Sequence, residues 1–277
     1  MISYQMTLRR HLAEYKANRL GVREAGIYRK TGRAYQHLLP SNLRYLNLLE
    51  SIRAEFREYL HHNPAVRLHA DFHHLNSSQA LAFNLFYPFL SAGGEIARLI
   101  AQALGLVGDI REWHFEYVPD AEEGTNVDVA WQNSDGIWAF CEVKLSESEF
   151  GSAKPDQRHE KKFREIYSPR LRGLVDERLL EFHEFCQHYQ LLRNISLLAT
   201  HSGSHVVFLI PEQNNALIPA LNAVLDSLVA SVRHRVHVAY LEKVLISIKN
   251  HGTLNPELKL YAGQLEEKYV VKQGNST

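Results

Sequence analysis

Glu142-Val143-Lys144 closes the apolar run IWAFCEVK (137–144), and Asp128 sits in the run TNVDVAW (125–131) just upstream. In an extended strand an acid and a lysine two residues apart project from one face. An acid facing them from a neighbouring strand would put two carboxylates about 5 Å apart at their Cβ atoms, where they repel. A hard divalent cation removes that repulsion. Mg²⁺ takes oxygen ligands at about 2.0–2.1 Å, commonly one or two carboxylates with waters and substrate phosphate. A lysine on the same face can hold and polarise a water, or stabilise a pentavalent phosphate during attack. The chemistry is metal-assisted phosphodiester hydrolysis.

Spacing alone does not select the site. Glu-x-Lys occurs five times, at 14–16, 142–144, 160–162, 257–259 and 266–268. Only 142–144 ends an apolar strand with an acid on its partner. The intervening NSDG reads as a three-residue hairpin loop, Ser134-Asp135-Gly136, with Gly136 left-handed. Asn133 then pairs with Ile137, Asp128 lies opposite Glu142, and Asn126 lies opposite Lys144. Val127, Val129, Trp131, Ala139, Cys141 and Val143 share one face, and Asp128, Glu142 and Lys144 share the other. Loops of two or four residues would separate the two acids. On residues alone, a metal site and an exposed hairpin face both stay open.

The elements that must position this hairpin follow from periodicity. Helices are expected at 5–20 and 41–62, with a loop or arm between them rich in Tyr and basic residues. Within 74–90 a helix is expected to run through Leu85, with Asn76, Ser77 or Ser78 as N-cap. GGEIARLIAQALGL (93–106) is an amphipathic helix and REWHFEYV (111–118) a strand. After Lys144 come a polar loop, a helical region over 157–193 broken at Ser168-Pro169, and a buried strand at 204–211. The rest reads as helix 212–229, strand 235–241, helix 241–249 and a frayed tail KQGNST. The order describes an α/β arrangement around a mixed sheet. Its organisation is expected as a helical and basic extension (1–70), a main domain (71–250) and a C-terminal tail (251–277).

The 277 residues are 45% hydrophobic and 22% charged, enough to bury a substantial core. No apolar run reaches membrane-spanning length, and the N-terminus carries no signal-peptide pattern, so a cytoplasmic protein is expected. Cys141 and Cys186 are the two cysteines, which give no disulfide framework. Net charge is zero, yet residues 115–150 hold nine acids against one base, Lys144, between more basic flanks. An acidic focus with basic flanks suits a site that holds cations and meets a polyanion, and solvated faces explain the same pattern. Arg29, Lys30 and Arg33, with Tyr28 and Tyr35, could grip phosphate and stack on bases. The sixteen histidines raise a zinc reading at His69, His73 and His74, which the lack of clustered cysteines or a His-Glu-x-x-His element disfavours.

GTNVDVAW, the short turn and IWAFCEVKLSESEFG resemble the active-site hairpin of the PD-(D/E)xK nuclease superfamily. With HLNSSQALAFNLFYPFL and CQHYQLLRN (186–194), the chain resembles a bacterial family of proteins predicted to be restriction endonucleases, over much of residues 25–250. The resemblance implies an αβββαβ core with a mixed sheet flanked by helices, and a DNA endonuclease using Mg²⁺, with Mn²⁺ as a substitute. It implies Asp128 and Glu142 as metal ligands with the Val143 carbonyl beside them, Glu95 as an acid contributed by the preceding helix, and Lys144 positioning the attacking water. Pro119-Asp120 is a decoy by the register argument. Gln190, beside Tyr189, would support the lysine or touch phosphate. Asn76, Ser77, Ser78 and Gln79 would line the DNA path, and Lys161 and Lys162 would contact its backbone. A double-strand cut would favour a homodimer. The alternatives are a non-catalytic nucleic-acid-binding or adaptor protein on a nuclease fold, and a nuclease for RNA or branched DNA.

Overall fold

The structure is a computed structural model, and it describes residues 3–252 and 254–271. The tail expected to fray, 272–277, lies outside them. Helix α1 (Tyr4–Arg19) is followed by a small hairpin of β1 (Gly26–Tyr28) and β2 (Arg33–Tyr35), which gives the basic arm a defined shape. The expected helix 41–62 is split. A 3-10 turn (Ser41–Asn47) precedes α2 (Glu50–His62), and the break at Leu48-Leu49 is extended and held by Asn84 Oδ1, which accepts from the Leu49 N–H at 2.7 Å.

Helix α3 (Ser78–Ala92) starts on Ser77, whose hydroxyl accepts from the Ala80 N–H. It runs through Pro88, where a proline removes one helical hydrogen bond from the carbonyl four residues back. That carbonyl, on Asn84, accepts from the Tyr261 hydroxyl at 2.7 Å instead. Helix α4 (Gly94–Ala103) leads to β3 (Ile110–Tyr117), β4 (Val127–Asn133) and β5 (Trp138–Val143). The segment 157–193 does not break at Pro169. Helix α5 (Gln157–Lys162) continues through a π turn into α6 (Ser168–Leu171), with the proline tolerated in the first turn. The break comes at Arg172 and Gly173 (φ 81). Then follow α7 (Phe182–Gln187), α8 (Tyr189–Thr200), β6 (His205–Ile210), α9 (Ile218–Asp226), α10 (Ala230–Arg233), β7 (Val236–Tyr240), α11 (Leu241–Asn250) and α12 (Pro256–Tyr269).

The sheet has the order β3-β4-β5-β6-β7, antiparallel across β3-β4-β5 and parallel across β5-β6-β7. It is a mixed α/β architecture with helices on both faces. One hydrophobic cluster joins the sheet to α1–α4, α11 and α12; the other joins it to α6–α10. Residues 1–70 and 251–277 therefore contribute Leu8, Leu12, Phe56, Tyr261, Leu265 and Tyr269 to the same cluster as the sheet. Val129, Trp131, Ala139, Cys141 and Val143 enter that cluster too. Val127 does not; next to the kink at Glu116 (φ 50) it packs with Ala130, Phe140 and Leu197.

Candidate active site

The β4–β5 hairpin has the register that its loop chemistry requires. Val129 pairs with Cys141 and Trp131 with Ala139, the Asn133 N–H donates to the Ile137 carbonyl, and Gly136 has φ 79. Continuing that register sets Asp128 across from Glu142. Strand alternation points both, with Lys144, away from the larger core and under α8.

Glu142 is 3% exposed and Lys144 8%, so neither is a solvated hairpin residue. Glu142 Oε1 lies 3.1 Å from Lys144 Nζ and accepts from Gln190 Nε2 at 2.5 Å. Its Oε2 accepts from Asn194 Nδ2 at 3.0 Å and from the Arg193 guanidinium at 3.4 Å. Lys144 Nζ also donates to Gln190 Oε1 at 2.7 Å. Gln190, Arg193 and Asn194 stand at i, i+3 and i+4 of α8, one face of a helix. Gly151 brings the backbone against Gln190: its carbonyl accepts from the Gln190 N–H at 3.2 Å, and a Cβ there would lie 3.0 Å from Gln190 Oε1.

Asp128 is less well compensated. Its Oδ2 accepts from the Val143 N–H at 2.7 Å, and its Oδ1 has no hydrogen-bond partner among the described residues. Burial first, and the charge of Glu142 second, push its carboxyl well above the ordinary carboxylate range. Lys144 keeps its charge. Burial works to strip its proton, but the charges of Glu142, Glu147 and Asp128 outweigh that and hold its pKa above the usual value. The site thus contains a firmly charged lysine and a carboxylate short of positive charge. Two hard oxygen donors in that state fit a divalent cation.

The third acid is Glu116. Phe115 pairs with Val129 and Tyr117 with Val127, so Glu116 stands opposite Asp128 and adds to the charge that raises it. It is the one non-glycine residue with positive φ among the described residues. Its carboxylate accepts from Gln79 Nε2 at 2.7 Å and from the Asn126 side chain, and lies 3.8 Å from His69 Nε2. The hairpin loop fixes only the β4–β5 register, so Glu116 was not among the expected site residues; the alternation of REWHFEYV carries its signal. Glu95 lies elsewhere. It is exposed in the first turn of α4, whose Ala97, Leu99, Ile100 and Ala101 pack into the cluster on the opposite face of the sheet from α8. No hydrogen bond or ion pair joins it to the carboxylates among the described residues.

The remaining expected residues scatter. Gln79 is 1% exposed and holds the 67–69 backbone as well as Glu116, so it faces no solvent channel. Ser77 is a helix cap, Ser78 begins α3, and Asn76 donates to the Ser146 hydroxyl at 2.7 Å, two residues past Lys144. Arg29, Lys30 and Arg33 are exposed at the tip of the β1–β2 hairpin, and Lys161 is exposed on α5. Lys162 is tied to Glu123. Asp120 is bound by Arg170 at 2.6 Å, away from the carboxylate row. A cavity of about 860 Å³ between α1 and α12 contains none of these residues.

One protein-family profile, described as restriction endonuclease associating with ARP, matches residues 9–270. No curated protein and no solved structure matches the chain. No helix among the described residues is long and apolar enough to cross a membrane. A match over nearly the whole length assigns the chain to that family: it belongs to the restriction endonucleases associating with ARP.

Proposed function

We propose that the chain is a Mg²⁺-dependent DNA endonuclease, with Mn²⁺ as a workable substitute, that hydrolyses phosphodiester bonds at Asp128, Glu142 and Lys144. The carrying observation is a pair of opposed carboxylates, one only partly compensated, beside a lysine whose charge is held by its neighbours. Asp128 and Glu142 would hold the metal, with the Val143 carbonyl as a further donor. The metal supplies charge neutralisation at the phosphate and activation of water. Lys144 acts as a fixed positive charge that orients the water and stabilises the developing phosphorane; its raised pKa makes it a poor base. Gln190 fixes the lysine and Glu142 together, and Arg193 and Asn194 hold the other carboxylate oxygen. Glu116 takes the place expected for a third acid, ahead of Glu95. Arg29, Lys30, Arg33 and Lys161 are exposed cations suited to the DNA backbone. The family description supports the nuclease reading and adds a partner, ARP.

A second reading has its own observation. Both Glu142 oxygens already accept from protein donors, which suits a nucleic-acid-binding protein that never loads a metal. Cleavage separates the two. Wild-type protein, Glu142→Ala and Lys144→Ala are incubated with linear, supercoiled and single-stranded DNA of mixed sequence in Mg²⁺ or Mn²⁺. The nuclease reading expects metal-dependent cutting, reduced about 10²–10³-fold or more in each variant. Cutting that persists in both variants overturns it.

A further inference from the structure

Asp71, His73 and His74 form a second cluster beneath the β1–β2 hairpin, outside the carboxylate row. One ligand atom from each lies within 4.8 Å of the other two. His74 Nε2 and Asp71 Oδ1 are 3.7 Å apart, and both atoms are shut off from solvent with no hydrogen-bond partner among the described residues. A buried polar atom left unsatisfied costs about 1–3 kcal/mol, so two facing each other require an explanation. Ligands at about 2.0–2.1 Å on a tetrahedral ion stand about 3.4 Å apart, close to the separation seen. His73 Nε2 lies 3.1 Å from the Ile27 carbonyl, an acceptor only, so this nitrogen carries the proton and leaves the Nδ1 lone pair bare. A backbone carbonyl on the far nitrogen is the usual device that orients a metal-ligating histidine.

The cluster borders a cavity of about 220 Å³ lined by Arg9, Tyr28, Tyr35, His37, Asp71, His74 and Asn76. Asn76 Oδ1 is a further buried acceptor without a partner there. We propose that Asp71, His73 and His74 bind a borderline divalent transition-metal ion, Zn²⁺ foremost, with one coordination position open to this cavity. Two imidazoles and one carboxylate suit Zn²⁺ and its neighbours, whereas Mg²⁺ favours oxygen donors. The sequence disfavoured zinc for want of cysteines; the fold supplies Asp71 in their place. The ion would tie the Ile27–Tyr28 strand to the segment 71–76, whose Asn76 holds Ser146 beside Lys144. This site is independent of the Asp128–Glu142 reading.

The test uses full-length protein stripped with a chelator, then titrated with Zn²⁺ by calorimetry and with Co²⁺ by visible absorption. Wild type should bind about one ion per chain, with the ligand-field bands of a low-coordinate Co²⁺ site. The titrations are run in excess Mg²⁺, which the oxygen donors Asp128 and Glu142 take and a site with two imidazoles does not. Asp71→Asn, which preserves shape, and His74→Ala should lose more affinity than the roughly 10–100-fold expected for an outer-shell partner. Zn²⁺ should raise the Tm of wild type and leave that of Asp71→Asn unchanged. No stoichiometric binding to wild type, or binding unaltered in Asp71→Asn, overturns the proposal; should His74→Ala fail to fold, Asp71→Asn decides.

Discussion

Asp128 is the residue under most electrostatic strain in the carboxylate row, because burial and Glu142 both oppose its ionisation. Its folded pKa lies above the unfolded value, so the stability it contributes is present at low pH and is lost as pH rises toward the folded pKa. Removing the charge should therefore stabilise the metal-free protein at neutral pH and do nothing at acid pH. Asp128→Asn is expected to raise the Tm by a few degrees at pH 7–8, about 1 kcal/mol at this chain length, with the gain vanishing near pH 4. Thermal unfolding across that range checks it; a lower Tm at neutral pH would mean that the carboxylate is well compensated. Asp128, Glu142 and Lys144 were legible in sequence because strand alternation and one loop length fix their relation. Arg193 and Asn194 were not, since their role depends on which face of α8 meets the sheet, and that face is chosen by packing.

At the scale of elements, α8 converts a hairpin into a site. Its first turn is docked by Gly151, which has φ 106 and whose missing Cβ leaves room for Gln190. Gly151→Ala would strain the backbone by about 1–3 kcal/mol and crowd the amide that bridges Lys144 and Glu142. Cleavage should fall about 10–100-fold, the range seen when a supporting partner of a site is disturbed. Steady-state cleavage with a thermal melt at the assay temperature measures this, and full activity would show that α8 tolerates the shift. The hairpin, strands β6 and β7 and most helices were readable from alternation and capping. Two helices differ from their expected extent, for reasons of tertiary contact. Pro88 is carried inside α3 because Tyr261 satisfies the freed carbonyl, and the 41–62 helix splits because Asn84 captures the Leu49 N–H.

The whole molecule is organised as one sheet between two helical layers, and its ends close the larger layer. Helix α12 buries Tyr261, Ala262, Leu265 and Tyr269, and its Lys268 is fully buried, donating to the Asn47 carbonyl and side chain. Sequence pattern hid this helix: a lysine and two tyrosines among glutamates read as a polar tail until their partners from residues 47 and 84 are in place. Tyr269→Ala should destabilise the chain by about 3–5 kcal/mol, as other large-to-small aromatic core changes do. Denaturant unfolding checks this, and a loss under 1 kcal/mol would detach α12 from the cooperative core. Whether Asp128 and Glu142 hold a divalent ion is tested most directly by a calorimetric titration of Mg²⁺ into wild type, Asp128→Asn and Glu142→Ala. Wild type should bind with release of protons from Asp128, so that affinity rises with pH, and both variants should lose binding. Equal binding in all three proteins, or none to wild type with or without DNA, would contradict that role for the two carboxylates.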